Sequence, residues 1–194
     1  MKKTSLLLLA AFTVASVFAQ TSSVGLKGGV NLASTTNNDF RTGFHVGFLA
    51  HMHMGPNWAL QPELVYSSQG TEYIEPISRQ EHKLKLDYLN VPFLFQYFAA
   101  PGLRLQTGPQ VGFLLNVDDE VNGVESGFFE KRDFKDIDAS WTFGLSYIGR
   151  SGFGVDARYN LGLSNNNNPA ESGLNGTTKN SVIQAGIFYQ FSGR

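Results

Sequence analysis

The sequence predicts an all-β protein: an eight-stranded, antiparallel, up-and-down transmembrane β-barrel preceded by a cleaved signal peptide. Three observations lead there. The 194-residue chain alternates apolar and polar residues with period two over eight segments. Short turns and long polar loops alternate between those segments. One face of the segments carries aromatic rings, while the other carries glycine and charge, which is the wrong way round for a water-soluble barrel.

The export signal comes first. Lys2 and Lys3 give a positive start, Leu6 to Val14 an apolar stretch, and Val17-Phe18-Ala19 a cleavage site. Cutting is expected after Ala19, so residues 1–19 are signal peptide and 20–194 the barrel domain. The apolar stretch is shorter than the roughly 20 residues of a spanning helix, which disfavours an uncleaved anchor.

The strands are read at roughly 23–33, 41–53, 58–69, 84–98, 103–116, 136–148, 153–164 and 180–191. Met54-Gly55-Pro56-Asn57, Ala99-Ala100-Pro101-Gly102 and Gly149-Arg150-Ser151-Gly152 are short connections with turn chemistry. The long polar connections are 34–40, 70–83, 117–135 and 165–179. Strict alternation places all long loops at one end and all short turns at the other.

Each strand has one apolar face, as in Phe44, Val46, Phe48, Ala50 and Met52, or Ile183, Ala185, Ile187, Tyr189 and Phe191. The opposite face carries Lys27, His45, His51, His53, Glu63, Arg104, Asp138, Asp156 and Arg158. Ten of eleven strand glycines share that polar face, and only Gly28 lies on the other. A soluble lipocalin-like barrel would turn the apolar face inward around a ligand. Volume decides against it: an eight-stranded barrel holds little more than its own side chains, and about fifteen rings would overfill it. Glycines facing a crowded polar lumen make room for long side chains instead. Aromatic residues near the strand ends, such as Trp58, Tyr97, Trp141 and Tyr159, fit the two interfacial girdles.

The fourth strand breaks phase. Leu84 and Leu86 have one parity, while Leu89, Val91, Phe93, Phe95 and Tyr97 have the other. Either a bulge near Asp87-Tyr88 reconciles them, or 84–86 stand above the membrane.

Composition narrows the function. Only 16% of residues are charged, against roughly 25% in ordinary soluble domains. With 15 basic and 16 acidic residues and no basic cluster, nucleic acid is not an expected partner. The absence of cysteine excludes disulfides, thiolate metal sites, cysteine nucleophiles and lipoprotein anchoring.

The candidate site is a structural charge network in the lumen: Lys27, Glu63, Arg104, Asp138, Asp156 and Arg158. Register in the sixth–seventh hairpin is expected to put Arg158 diagonal to Asp138 and adjacent to Asp156. A cross-strand ion ladder fills the barrel on this reading, because eight strands leave little free bore. His51-x-His53 with His45 and Glu63 offers metal-ligand chemistry, yet a lumen gathers polar side chains in any case; no metal and no cofactor is assigned. Asp118-x-Glu120-x-Asn122-Gly123 fails as a calcium loop because Phe129 stands at its twelfth position. Phe128, Phe129 and Phe134 suggest a contact surface. Catalysis would rest on His82, Glu81 and Ser78 in one loop, which ordinary loop polarity explains, so no catalytic residue is assigned.

The chain resembles the porin-like outer-membrane β-barrel domain family of the Bacteroidota type. The carrying segments are Val24-Gly-Leu-Lys-Gly-Gly-Val-Asn31, Leu60-Gln-Pro-Glu-Leu-Val-Tyr-Ser67, Leu86-Asp-Tyr-Leu-Asn-Val-Pro-Phe93, Gly108-Pro-Gln-Val-Gly112 and Ile187-Phe-Tyr-Gln-Phe191, in that order. The resemblance implies outer-membrane location, contact with outer-membrane lipid and assembly through the C-terminal strand by the barrel-assembly machinery. Such barrels usually end on an aromatic residue, whereas Ser192-Gly193-Arg194 follow Phe191 here. The expected protein is a monomer, porin-like or structural, with a mostly filled lumen. A surface adhesion role through the loops, with an extracellular ligand at 117–135 and 165–179, is the alternative.

Overall fold

The computed structural model describes residues 22–35, 39–74, 81–121, 124–125, 131, 134–164 and 179–191. The signal peptide, Phe128, Phe129, Ser78 and the tip of the last long loop lie outside the described residues.

Among the described residues nine strands form one sheet: β1 Ser22–Thr35, β2 Asp39–His53, β3 Trp58–Ile74, β4 Glu81–Ala100, β5 Leu103–Val121, β6 Val124–Glu125, β7 Ile137–Ile148, β8 Phe153–Gly162 and β9 Asn180–Phe191. Every pairing is antiparallel, and eight strands form a closed ring, β1-β2-β3-β4-β5-β7-β8-β9, in which β9 returns to pair with β1. The two-residue β6 pairs only with the outer tip of β5 and stands outside the ring. The sequence favours this because its period is two throughout and its short turns are sharp. Gly102 and Gly152 in those turns adopt φ of +80° and +87°, a left-handed backbone that suits glycine.

Side chains sort as the parity argument requires. Val24, Leu26, Val30, Phe44, Val46, Phe48, Phe143, Val155 and Ile187 all point outward and are exposed, Phe48 at 65%. Trp58 packs on Tyr97 at 5.0 Å and Phe153 on Tyr189 at 4.6 Å, between ring centroids, at the short-turn end. Toward the loops Phe44 packs on Tyr66 at 5.7 Å. The outward Thr107 hydroxyl accepts a 2.8 Å hydrogen bond from the Trp141 indole, so this pair of polar groups is satisfied on the apolar surface.

The inward glycines do what volume demands. A Cβ on Gly144 would sit 2.8 Å from Cγ of Arg158, and one on Gly29 would sit 2.8 Å from the His45 ring. Glycine at these positions gives the long polar side chains their space. Gly28 faces outward and nothing crowds it nearer than 3.5 Å.

Two expectations are corrected. Segments read as loops are partly strand: β3 runs on to Ile74, β4 starts at Glu81 and β5 reaches Val121. The fourth strand contains no bulge at Asp87-Tyr88. Leu84, Leu86, Tyr88 and Asn90 share one parity and are all buried, so the phase runs on there, with Asp87 between them buried as well; the extra residue on β4 is Ala99, since Phe98 opposes Arg104 and Ala100 opposes Leu103. The register irregularity does fall at Asp87/Tyr88, but the extra residue is Leu115 on β5, since Asp87 opposes Asn116 and Tyr88 opposes Leu114. What changes along β4 is polarity. Below Tyr88 the apolar residues Leu89, Val91, Phe93 and Phe95 face out; above it Leu84 and Leu86 face in, and Lys83 and Lys85 lie on the outer parity. The lower part is patterned for lipid and the upper part for water.

That boundary makes a prediction. Phe143→Arg, midway along the outward face of β7, is expected to cost about 2–4 kcal/mol, whereas Leu163→Arg at the loop-side edge costs about 1 kcal/mol or less. Reversible urea unfolding from phospholipid vesicles measures both, and equal penalties contradict a lipid-facing band.

Candidate functional site

The lumen is the place where chemistry-bearing side chains converge. At its centre lie two cations and two carboxylates. Arg158 on β8 grips Glu63 on β3 with two hydrogen bonds, Nη1 to Oε2 at 2.7 Å and Nη2 to Oε1 at 2.8 Å. These strands stand on opposite sides of the ring, so the pair crosses the whole bore. Arg158 Nη2 also lies 3.0 Å from Asp156 Oδ2. Lys27 on β1 donates to Asp156 at 2.8 Å and sits 3.5 Å from Glu63. Gln61 donates to Glu63 Oε1 at 2.7 Å. All four charged side chains are almost completely buried. The quartet is neutral as a set, which is what burial of charge requires.

Amide layers flank it. On the loop side Asn31 donates to Ser67 at 2.9 Å, Gln184 donates to Asn31 at 3.0 Å, and His45 Nδ1 lies 2.8 Å from Asn31 Oδ1. Farther out, Asn180 donates to Gln69 across the bore. On the turn side Gln96 donates to Gln106 at 3.1 Å, and Arg104 Nη2 to Gln190 at 3.1 Å. On the loop side lies an apolar cluster, the cap, of Leu84, Leu86 and Tyr88 on β4, Leu114 on β5 and Phe134, with Val117 packed against it.

The six predicted network residues thus separate. Lys27, Glu63, Asp156 and Arg158 come together as one cluster. Arg104 lies toward the short turns with Gln190. Asp138 lies toward the loops, where the Ser164 hydroxyl donates to it. The expected Arg158–Asp138 diagonal is corrected by register: Arg158 opposes Gly144, and pairing runs only to Ser140 opposite Gly162. Asp138 is therefore opposite the end of β8, six residues along β7 from Arg158's partner. The histidines separate too. His45 belongs to the Asn31 layer, and the rings of His51 and His53 pack 4.8 Å apart near the turns. Glu63 belongs to the quartet. Phe134, expected on a contact surface, is buried in the cap. Sequence reasoning missed the amide layers and the cap. The signal for the first was present, since Asn31, Gln61, Gln106 and Gln184 share the polar parity.

Above the apolar band a charged collar rises on β4 and β5. Lys83 opposes Glu120, and Lys85 opposes Asp118. Lys85 Nζ donates to Asp118 Oδ2 at 3.0 Å and lies 3.4 Å from Asp87. The hydrogen bond from Lys85 holds the Asp118 carboxyl below its ordinary value of 3.8, and the same bond raises Lys85 above 10.5.

A closed ring with apolar residues outside, a polar interior and a charged collar is the architecture of an outer-membrane barrel. The model of the outer membrane protein β-barrel domain family matches residues 18–168. The chain belongs to that family. It is an integral outer-membrane protein. No curated protein matches the chain. Among solved structures it is similar to Neisserial surface protein A, at 14% identity and a TM-score of 0.57, over 88% of this chain and 97% of that one. It also matches the Yersinia pestis attachment invasion locus protein Ail, at 14% identity and a TM-score of 0.47 over 88% of this chain and 97% of that one. OprG from Pseudomonas aeruginosa matches at 12% identity and a TM-score of 0.48, over 90% of this chain and 98% of that one. At such identity the likeness to Neisserial surface protein A speaks for the fold alone.

Two predictions follow from the barrel's interior and collar. Arg158→Met leaves Glu63 and Asp156 sharing only Lys27 and is expected to cost about 3–5 kcal/mol, while replacing all four quartet residues with apolar ones costs less than this single change. Refolding titrations into vesicles measure both, and an unchanged midpoint for Arg158→Met would rule the quartet out as a structural tie. The collar pair depends on pH. Asp118's folded pKa lies below its unfolded one, so its contribution is complete above about 3.8 and is lost as pH falls through the folded value. Lys85 contributes below about 10.5, and that share is lost as pH rises through its raised value. The side chains are 37% and 32% exposed, so solvent screening holds the pair below about 1 kcal/mol. Carboxyl-detected NMR of Lys85→Met is expected to show the Asp118 pKa rising toward its ordinary value; no movement contradicts the pairing.

Proposed function

We propose that the protein is a closed, non-catalytic outer-membrane barrel of the structural or porin-like kind, with no continuous water path through its lumen. One observation carries this reading: the bidentate Arg158–Glu63 pair joins opposite walls of the bore, 95 residues apart in sequence. The apolar cap around Leu86, Tyr88 and Phe134 supports it from the loop side, because an apolar constriction resists wetting. A neutral, hydrogen-bonded quartet has no reason to leave its place for a passing solute.

The short-turn end faces the periplasm and the long loops face outward in this proposal, with cleavage after Ala19 and assembly read from the alternating Ile187, Tyr189 and Phe191 of the last strand. The protein works as a monomer, because a closed ring leaves no unpaired sheet edge in the membrane to recruit a neighbour. Bacteroidota type within the family belongs to the same proposal.

A second reading, an extracellular ligand at loops 117–135 and 165–179, is favoured by β3, β4 and β5 continuing past the apolar band with charge on their outer parity. It is compatible with a closed lumen, since the ligand would meet only the outer surface.

Planar-bilayer recording tests the first reading. The wild-type barrel is expected to give no resolved current steps, while a Lys27→Ala, Glu63→Ala, Arg158→Ala triple variant that still runs as a heat-modifiable band on SDS gels is expected to give them. Steady open-channel current through the wild type would sink the closed-lumen reading.

A further inference from the structure

Among the described residues, not every lumen charge has an opposite charge beside it. The central quartet is neutral, and Asp138 lies at the other end of the barrel. Arg104, only 7% exposed, sits by the short turns with the Gln190 amide as its hydrogen-bond partner and Nη1 unpartnered among the described residues. Its guanidinium lies over the Phe98 ring, 5.5 Å from the centroid, which orients the group but does not neutralise it. A buried guanidinium without a carboxylate is costly to keep, and an external anion is the usual remedy.

A cleft opens at this point. It has a volume of about 460 Å3 and is lined by Arg104, His53, Phe98, Asn57 and Gly102 among others, with no acidic residue in its wall. His53, in the cleft wall, packs against Phe98 at 5.4 Å between centroids, and His51 behind it packs on the same ring at 5.9 Å. The turns Met54–Asn57 and Ala100–Gly102 form the rim, so the cleft opens at the short-turn mouth. Just outside the rim, Trp58 and Tyr97 mark the lipid interface. The surroundings combine one fixed cation, an imidazole and a ring wall, with more room than a bare halide or carboxylate fills.

We propose that this cleft is a phosphate-ester site: Arg104 supplies the charge and His53 a hydrogen bond to a phosphate group carried either by a phospholipid headgroup or by a soluble ester at the barrel mouth. A planar guanidinium with a free nitrogen suits phosphate oxygens.

The test uses the full chain in maltoside micelles free of phosphate, with isotope-labelled arginine and histidine side chains followed by NMR. Glycerol phosphate is titrated at constant ionic strength. Saturable shifts of the Arg104 and His53 signals are expected. Arg104→Gln weakens the apparent affinity at least about tenfold, Arg104→Lys restores part of it, and Arg150→Gln, at an exposed turn of the same end, leaves it unchanged. Phe98→Leu keeps the charge but removes the ring wall, and it weakens binding as well; it serves as the test if Arg104→Gln does not fold. A second arm compares phosphatidylglycerol nanodiscs. If a headgroup is the natural occupant, the wild-type signals already sit at their saturated positions there and ignore added glycerol phosphate; if a soluble ester is, they respond as in micelles. Unsaturable shifts that follow ionic strength, equal shifts in Arg104→Gln, or no response in either medium overturn the proposal.

Discussion

The hydrocarbon interior of a membrane offers no partner to a peptide N–H or C=O, so every strand crossing it must be paired on both sides. In this chain that requirement comes down to one seam. Seven of the eight ring pairings join strands that follow one another along the ring in chain order; the pairing of β1 with β9 joins its two ends and completes the circuit. It runs from Val24 opposite Phe191 to Thr35 opposite Asn180. Without it the sheet would present two bare edges to lipid. Hairpins across short turns, such as β4 with β5, form with little loop to close. The seam is the long-range contact that those local pairings make possible.

Closure at eight strands sets the bore, and the bore sets everything inside it. The opposite walls are near enough that a single arginine on β8 reaches a single glutamate on β3. Side chains must fill this space without clashing, which is why glycine stands beside the longest of them, as Gly144 does for Arg158 and Gly29 and Gly186 do for His45. Once filled, the interior has to be satisfied. Charge is therefore gathered into a neutral quartet, and amides are stacked above and below it. The filling of the lumen follows from ring size before it is a matter of function.

Much of this was legible in the residues. Period two located all eight membrane strands, and the asymmetry between rings and glycines told inside from outside. The parts that stayed hidden share one cause: period two says which residues share a face, but not what medium that face meets. Leu84 and Leu86 have the parity of inward residues all along β4. They look out of phase only if lipid is assumed to continue past Tyr88. Where water replaces lipid the pattern inverts without any change in backbone, so strand was mistaken for loop in 70–83 and 117–135. Register is the other hidden quantity. Ile148 opposes Gly154 across the β7–β8 turn, and that count carries Asp138 past the end of β8 rather than toward Arg158. Phe134 looked like a contact residue because its loop is polar; its ring is taken into the same buried cluster as Leu86 and Leu114, which no local pattern announces.

The distribution of compensation separates architecture from what the barrel can do. Lys27, Glu63, Asp156 and Arg158 answer one another, so their burial is self-consistent and asks for nothing from outside. On the closed-lumen reading, such a core leaves little interior to offer a solute. What the barrel recognises is then met at its mouths or on the collar between Lys85 and Asp118, where side chains remain within reach of solvent. At the short-turn mouth the described residues set the Arg104 guanidinium beside the Gln190 amide and a cleft walled by His53 and Phe98, with no acidic residue in that wall. Charge that the described residues leave without a neighbouring carboxylate is the feature that stability alone fails to explain.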